Sequence, residues 1–267
     1  MSFLHRYLAA VQSFTGVSLD PVTSGRAEVA RNALPQAVLF PGVGWLTGLL
    51  ACTVFALLGL VLPDGAYAPL VAAVGCTAAT LCFTRGHHEK ALALSADRLC
   101  LSTADRPQAG GLPGAPLGID GVLTLGLALA AKLSLLAVLA GQSPPAVLAA
   151  LLAAQVVSRF WPLVFARAHA HRDDIAGRPT HPLSHSLTHR ELGLAFLWCV
   201  PPLAIAWWGD SGLFALLSLA ASGASVWAAR RLLHRKRQPV DGMALEAAQQ
   251  VGEIGFYLGA AIALALG

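Results

Sequence analysis

The sixteen residues from Thr84 to Leu99, TRGHHEKALALSADRL, place His87, His88, Glu89, Lys90, Asp97 and Arg98 directly after a long apolar stretch, in a chain only 12% charged. Imidazoles, carboxylates and cations this close together can move protons, hold a divalent cation or meet a phosphate. A solvated, mixed-charge helix end is the bland alternative. A second polar series enters the apolar carboxyl-terminal segment, where Glu246, Gln249, Gln250 and Glu253 recur at helical spacing and share one face. An ionisable group inside an apolar span is costly and turns toward a polar interior, which makes Glu253 the strongest functional candidate on physical grounds. Its alternative is a carboxylate snorkelling to the interface. Two cations also fall within apolar stretches: Arg159 suits either a phosphate anchor or a buried ion pair, and Lys132 can pack its stem and reach a carbonyl.

A histidine-rich stretch, ARAHAHRDDIAGRPTHPLSHSLTHR, contains His169, His171, His181, His185 and His189. His185 and His189 stand at i, i+4, a spacing that can hold a metal. No cysteine accompanies them, and Pro179 and Pro182 make the backbone irregular, so a basic surface for phosphate is the preferred reading. The cysteines at 52, 76, 82, 100 and 199 lack Cys-x-x-Cys spacing, and neither a disulfide nor a zinc site is expected.

The elements that must position these groups are membrane helices. With 267 residues, 56% of them hydrophobic, and a mean hydropathy of +0.64, the chain is far too apolar for a soluble domain. An all-α, polytopic membrane helix bundle is expected, a single domain over 1–267. Apolar stretches of spanning length fall at about 38–62, 66–84, 119–141, 145–168, 191–208, 211–229 and 250–266, about seven transmembrane helices. Every Lys and Arg except Lys132 and Arg159 lies at or beyond the ends of these spans, in alternate loops, whereas PDGAYAP, GQSPP and GD hold none. By the positive-inside rule the amino terminus is cytoplasmic. The expected cytoplasmic segments are then 1–36, 85–118, 169–190 and 230–249. No cleavable leader is visible, so the first span is expected to direct insertion. Near the start, Phe3, Leu4, Tyr7, Leu8, Val11 and Phe14 form a helical stripe that suits either an interfacial helix or one packed on the end of the bundle. The pI near 9.0 fits basic loops beside anionic lipid, and nucleic acid is not an expected partner.

Several segments together carry a resemblance. FLHRYLAAVQSFT, LFPGVGWLTGLL, TRGHHEKALALSADRL, LGIDGVLTLGLALAAKLSLL, SRFWPLVFAR and AAQQVGEIGFYL, in that order and spacing, are similar to the cobalamin synthase (adenosylcobinamide-GDP ribazoletransferase) family. In that family the stretch after the second span reads roughly T-G-G-x-H-x-D-G-L-A-D-x-x-D-G-L. Thr84, Gly86, His88, Leu92, Ala93, Asp97 and Leu99 match, while two of the family's aspartates fall on Lys90 and Leu94. On a helix 90, 94 and 97 are spaced i, i+4 and i+7, so three carboxylates there would form one stripe able to hold magnesium. Here that stripe reads Lys, Leu, Asp. The family pattern near the carboxyl end, G-D-x-L-G-A-x-Q-Q-x-x-E, keeps Gly242, Leu245, Ala247, Gln249, Gln250 and Glu253, with its aspartate on Met243 and its second glycine on Glu246. At 112–121 the family's K-D-S-R-x-G-x-x-G is LPGAPLGIDG, keeping Gly118 and Gly121.

The resemblance implies an inner-membrane transferase with its polar site on the cytoplasmic side, joining adenosylcobinamide-GDP to α-ribazole or its 5′-phosphate with release of GMP. It implies catalytic roles for His88, Asp97 and Glu253. Substrate or phosphate contacts are implied for Lys90, Ser158, Arg159, Asp173, Gln249 and Gln250. The cofactor implied is Mg2+, with Asp97, Glu89 and Glu253 as its ligands. Expected partners are the two substrates, membrane lipid, and a second copy or another protein of the cobalamin pathway. The lost carboxylates leave a second reading, a degenerate paralogue that binds a corrinoid or scaffolds without turnover. A small transporter is a third, weakened because polar groups cluster on one side rather than at the midplane.

Overall fold

A computed structural model of the chain describes residues 3–15, 36–100, 117–169, 187–236 and 240–267. Among these residues there is no strand. The helices, in chain order, are α1 (Phe3–Thr15), α2 (Phe40–Val61), α3 (Ala68–Thr84), α4 (His87–Cys100), α5 (Ile119–Gln142), α6 (Pro144–His169), α7 (His189–Leu197), α8 (Val200–Gly209), α9 (Gly212–Arg235) and α10 (Gly242–Leu266). A 3₁₀ turn, Gln36–Leu39, leads into α2.

The centre of the bundle is α6, 83% of whose most apolar window is buried. Its first eleven residues, PPAVLAALLAA, are apolar on every face, and a helix stretch of that kind has no side suited to water. It packs between α2 and α10, and α9 closes against α10. Lipid is as apolar as leucine, so close packing rather than exclusion of water joins such helices, and glycines allow it. A Cβ at Gly44 of α2 would lie 2.7 Å from Val156 Cα, and one at Gly259 of α10 would lie 2.7 Å from Ser218 Cα. Backbone therefore touches backbone at both seams.

Against the seven expected spans, five uninterrupted helices are long and apolar enough to cross a membrane, and two bent pairs bring the number to seven where each is counted as one span. The first pair is α3 and α4, which meet at 88°. Arg85 and Gly86 both take left-handed backbone angles, φ 53° and 62°, and a glycine is the residue that adopts such a turn without strain. The second pair, α7 and α8, bends by 44°, where Pro201 and Pro202 open α8 and cannot donate to the preceding turn. Thr188 and Glu191 cap the start of α7 reciprocally.

Two stretches expected as loops contain helix. The 85–118 segment contains α4, and the 230–249 segment is α9 as far as Arg235 and α10 from Gly242. In both, a charged residue sits on a helix face that packs or faces solvent rather than ending the helix. Of the two readings of the amino-terminal stripe, packing on the bundle is the one observed: Ala10 and Val11 are buried, the Tyr7 hydroxyl donates to the Gly42 carbonyl at 2.9 Å, and Tyr7 stacks on Trp198 at 6.1 Å.

Because backbone cannot retreat as a side chain can, Gly44→Leu or Gly259→Leu is expected to cost about 3 kcal/mol or more. Gly126→Leu, where nothing lies within 4 Å, serves as the tolerant control. Thermal unfolding in detergent, followed by loss of the monodisperse peak on gel filtration, checks the contrast.

Candidate functional site

A carboxylate buried among membrane helices must be neutralised and hydrogen-bonded. Glu253, 1% exposed on α10, receives both. Lys132 Nζ of α5 stands 2.7 Å from its Oε1, Gln155 Nε2 of α6 donates to the same oxygen at 2.6 Å, and the Tyr257 hydroxyl donates at 3.0 Å. Gln249 Nε2 reaches Oε2 at 3.4 Å and Ser158 Oγ at 3.3 Å. One carboxylate thus ties together α5, α6 and α10.

Arg159, 2% exposed, is one turn beyond Gln155 and donates to its carbonyl at 2.6 Å and its Oε1 at 2.8 Å. Gln155 therefore relays between Arg159 and Glu253; among the described residues no carboxylate lies within ion-pair distance of Arg159. Its Cζ sits 5.9 Å from the Phe40 ring centre, and the His88 ring lies 6.0 Å from the same ring. Three residues on, Pro162 cannot donate to the Ser158 carbonyl, which adds an acceptor to this part of α6.

The α4 helix packs against α5 and α10 and is anchored by its own charges. Glu89 turns into the bundle, where Gln250 Nε2 donates to its Oε1 at 3.2 Å, and it interacts electrostatically with Lys132, Arg159 and Glu253. Asp97 accepts from the backbone N–H groups of Gly118 at 2.8 Å and Gly121 at 2.6 Å. It caps the start of α5, where exposed N–H groups and the helix dipole favour a carboxylate. Arg98 bonds Asp241 Oδ2 at 2.7 Å, and Asp241 Oδ1 caps α10 through Ala244. The charged stretch is therefore a crossbar that fastens the starts of α5 and α10, the helices that bring in Lys132 and Glu253.

Of the residues expected at the site, Glu89, Ser158, Arg159, Gln249, Gln250 and Glu253 come together, and buried His88 stands beside Phe40. Lys90 is exposed, about 100° around α4 from Glu89. Asp97 is engaged at the α5 start instead. Asp173 lies outside the described residues, as do His171, His181 and His185. Lys132 meets a carboxylate rather than a carbonyl. Sequence reasoning overlooks Gln155 and Tyr257, although each follows from spacing: Gln155 is four residues before Arg159, and Tyr257 extends the Glu246–Glu253 stripe by one turn.

The described residues do not fit a magnesium shell. Magnesium needs several oxygens in near-octahedral array, yet no group of three or more His, Cys, Asp or Glu side chains converges among them. Both Asp97 oxygens are taken by backbone N–H groups and Glu253 by four donors, which leaves Glu89 Oε2. Buried polar atoms without a hydrogen-bond partner among the described residues include Glu89 Oε2, Arg159 Nε, Gln249 Oε1 and Gln250 Oε1. Buried polar atoms are normally satisfied, so these mark where a polar ligand has something to bind.

Removing one partner of the Lys132–Glu253 pair leaves a buried charge alone. Lys132→Met or Glu253→Gln is expected to destabilise by about 3–5 kcal/mol, and the double variant by less than the sum of the two. Denaturant melts in detergent measure this non-additivity. Asp97→Ala, which removes a cap, should cost about 0.5–2 kcal/mol in the same assay.

A sequence model of the family described as "Cobalamin-5-phosphate synthase" matches residues 6–261. Three proteins named adenosylcobinamide-GDP ribazoletransferase are similar to the chain nearly end to end. That of Polaromonas naphthalenivorans is 39% identical over 99% of this chain and 100% of its own length; that of Albidiferax ferrireducens is 35% identical over 98% and 99%. The third, from Polaromonas sp. strain JS666, is 36% identical over 98% of each. No solved structure is detectably similar.

Proposed function

The chain belongs to the cobalamin-5-phosphate synthase family, and from that premise we propose that it works as an adenosylcobinamide-GDP ribazoletransferase, with the buried centre around Glu253 as its reaction site. In the reaction a hydroxyl of the α-ribazole nucleoside, or of its 5′-phosphate, loses its proton and bonds to the phosphorus that carries cobinamide. The bond from that phosphorus to the bridging oxygen breaks, and GMP departs with the electron pair. Little covalent chemistry falls to the protein, so positioning and charge stabilisation carry the catalysis.

The observation that supports this reading is the set of buried polar atoms left over around a saturated carboxylate. Arg159 is the cation available to a phosphate oxygen: Gln155 holds one end of its guanidinium, and Nε lacks a partner among the described residues. Glu89 Oε2, Gln249 Oε1 and Gln250 Oε1 are acceptors for hydroxyl or amide donors of the substrates. Glu253 is a poor proton acceptor, because four donors, one of them an ammonium, already hold it. Its work is to fix Lys132, Gln155 and Gln249. His88, which like Arg159 lies about 6 Å from the centre of the Phe40 ring, is the group proposed to take the hydroxyl proton.

Magnesium receives no step here, because the donor set described above does not build its shell. Placement in an inner membrane with the site toward the cytoplasm is part of the same proposal. It is supported by the alternation of basic and uncharged loops. The degenerate-paralogue reading rests on positions 90, 94 and 243, and none of these contributes to the Glu253 centre.

Purified protein in lipid vesicles, supplied with adenosylcobinamide-GDP and α-ribazole, is expected to release GMP in step with the corrinoid product. Arg159→Gln should lower the rate on the order of 100-fold, the scale of one lost transition-state donor, with folding checked by melting. Substrate binding without GMP above a heat-inactivated control would instead establish the paralogue reading.

A further inference from the structure

Away from the Glu253 centre, α9 ends in a basic cluster that the proposed reaction does not use. Arg230, Arg231, His234 and Arg235, together with Trp227, line a cavity of about 360 Å³. Among the described residues none of the three arginines lies within ion-pair distance of a carboxylate. The Arg231 guanidinium stacks over the Trp227 ring, 3.8 Å from its centre. A second cavity, about 460 Å³, runs along the seam between α6 and α9, walled by Trp161, Val164, Leu216, Leu219, Ala220 and Ala224. Trp227 and Arg230 belong to both cavities, so an apolar groove leads directly into a cationic head site.

We propose that this seam binds an anionic phospholipid, its acyl chain in the α6–α9 groove and its phosphate against Arg230, Arg231 and Arg235. The groove lies on a membrane span and the cluster at the end of that span. A tryptophan at their junction is in the position that amphipathic rings take at the level of lipid headgroups. Basic pockets between helices at that level recognise anionic headgroups. A soluble phosphate would use the cluster and leave the groove idle, whereas a neutral lipid would use the groove and leave three arginines uncompensated. Only an anionic lipid uses both. The occupant would also brace the seam behind Trp161, whose indole donates to Ser222 Oγ at 2.8 Å. Ser222 in turn donates to the Gly252 carbonyl, one residue before Glu253, at 2.7 Å.

The test uses the full chain, delipidated in a neutral detergent, with native mass spectrometry and thermal melting as readouts. Phosphatidylglycerol is expected to stay bound and raise the melting temperature, while phosphatidylcholine does neither. Each arginine contributes about a fivefold factor in affinity, so Arg230→Gln, Arg231→Gln and Arg235→Gln combined should weaken phosphatidylglycerol on the order of 100-fold. Ala224→Phe, which fills the groove and keeps every charge, should also displace the lipid, and it decides the matter if the triple variant does not fold. Equal retention of the two lipids would overturn the proposal. So would protection by inorganic phosphate or GMP that matches the lipid's, which would assign the cluster to a soluble phosphate.

Discussion

The structure depends on how a single carboxylate, Glu253, is kept in an apolar bundle. Its cost is met by a cation from α5, an amide from α6, and an amide and a phenol from α10 itself. These groups belong to separate helices, so the helices must meet at a defined depth and rotation for the charge to be tolerated. Apolar packing alone would allow α5, α6 and α10 to slide. The ion pair and its amide partners set their register, and the glycine seams let the backbones come close enough to hold it.

The crossbar α4 carries this constraint to the end of the bundle. Asp97 holds the start of α5 and Arg98 holds the cap of α10, so the helices bearing Lys132 and Glu253 are fastened at their ends as well as at the centre. Glu89, on the inner face of the same crossbar, adds a second carboxylate opposite two buried cations. Two acids and two bases balance in charge. Among the buried polar atoms left over beside them are one donor, Arg159 Nε, and three acceptors, Glu89 Oε2, Gln249 Oε1 and Gln250 Oε1.

This arrangement gives a physical setting for the chain's departures from its family's pattern. Lys90 is exposed on α4 and Leu94 is half-buried there, away from the face that Glu89 turns toward Glu253. Substitution at these positions leaves the central network whole. Met243 lies in the first turn of α10, where Asp241 supplies the cap, so an aspartate at 243 is not needed to start that helix.

Much of the architecture is legible in the sequence, because membrane helices announce themselves by the length of their apolar runs and by the absence of charge between basic ends. The same one-dimensional pattern identifies Glu253, Arg159 and the Gln249–Gln250 pair, since a polar residue in such a run must turn inward. Family membership is legible too, carried by the order of segments such as TRGHHEKALALSADRL and AAQQVGEIGFYL. Partners are not legible in this way. That Lys132 meets Glu253, 121 positions away in sequence, that Gln155 relays between Arg159 and Glu253, and that Asp97 caps α5 all depend on helix rotation and on the 88° turn at Arg85–Gly86. Periodicity tells which face of a helix is polar. Only packing decides which other face it meets, because many bundles bury the same stripes and the energy that selects among them lies in contacts between distant helices.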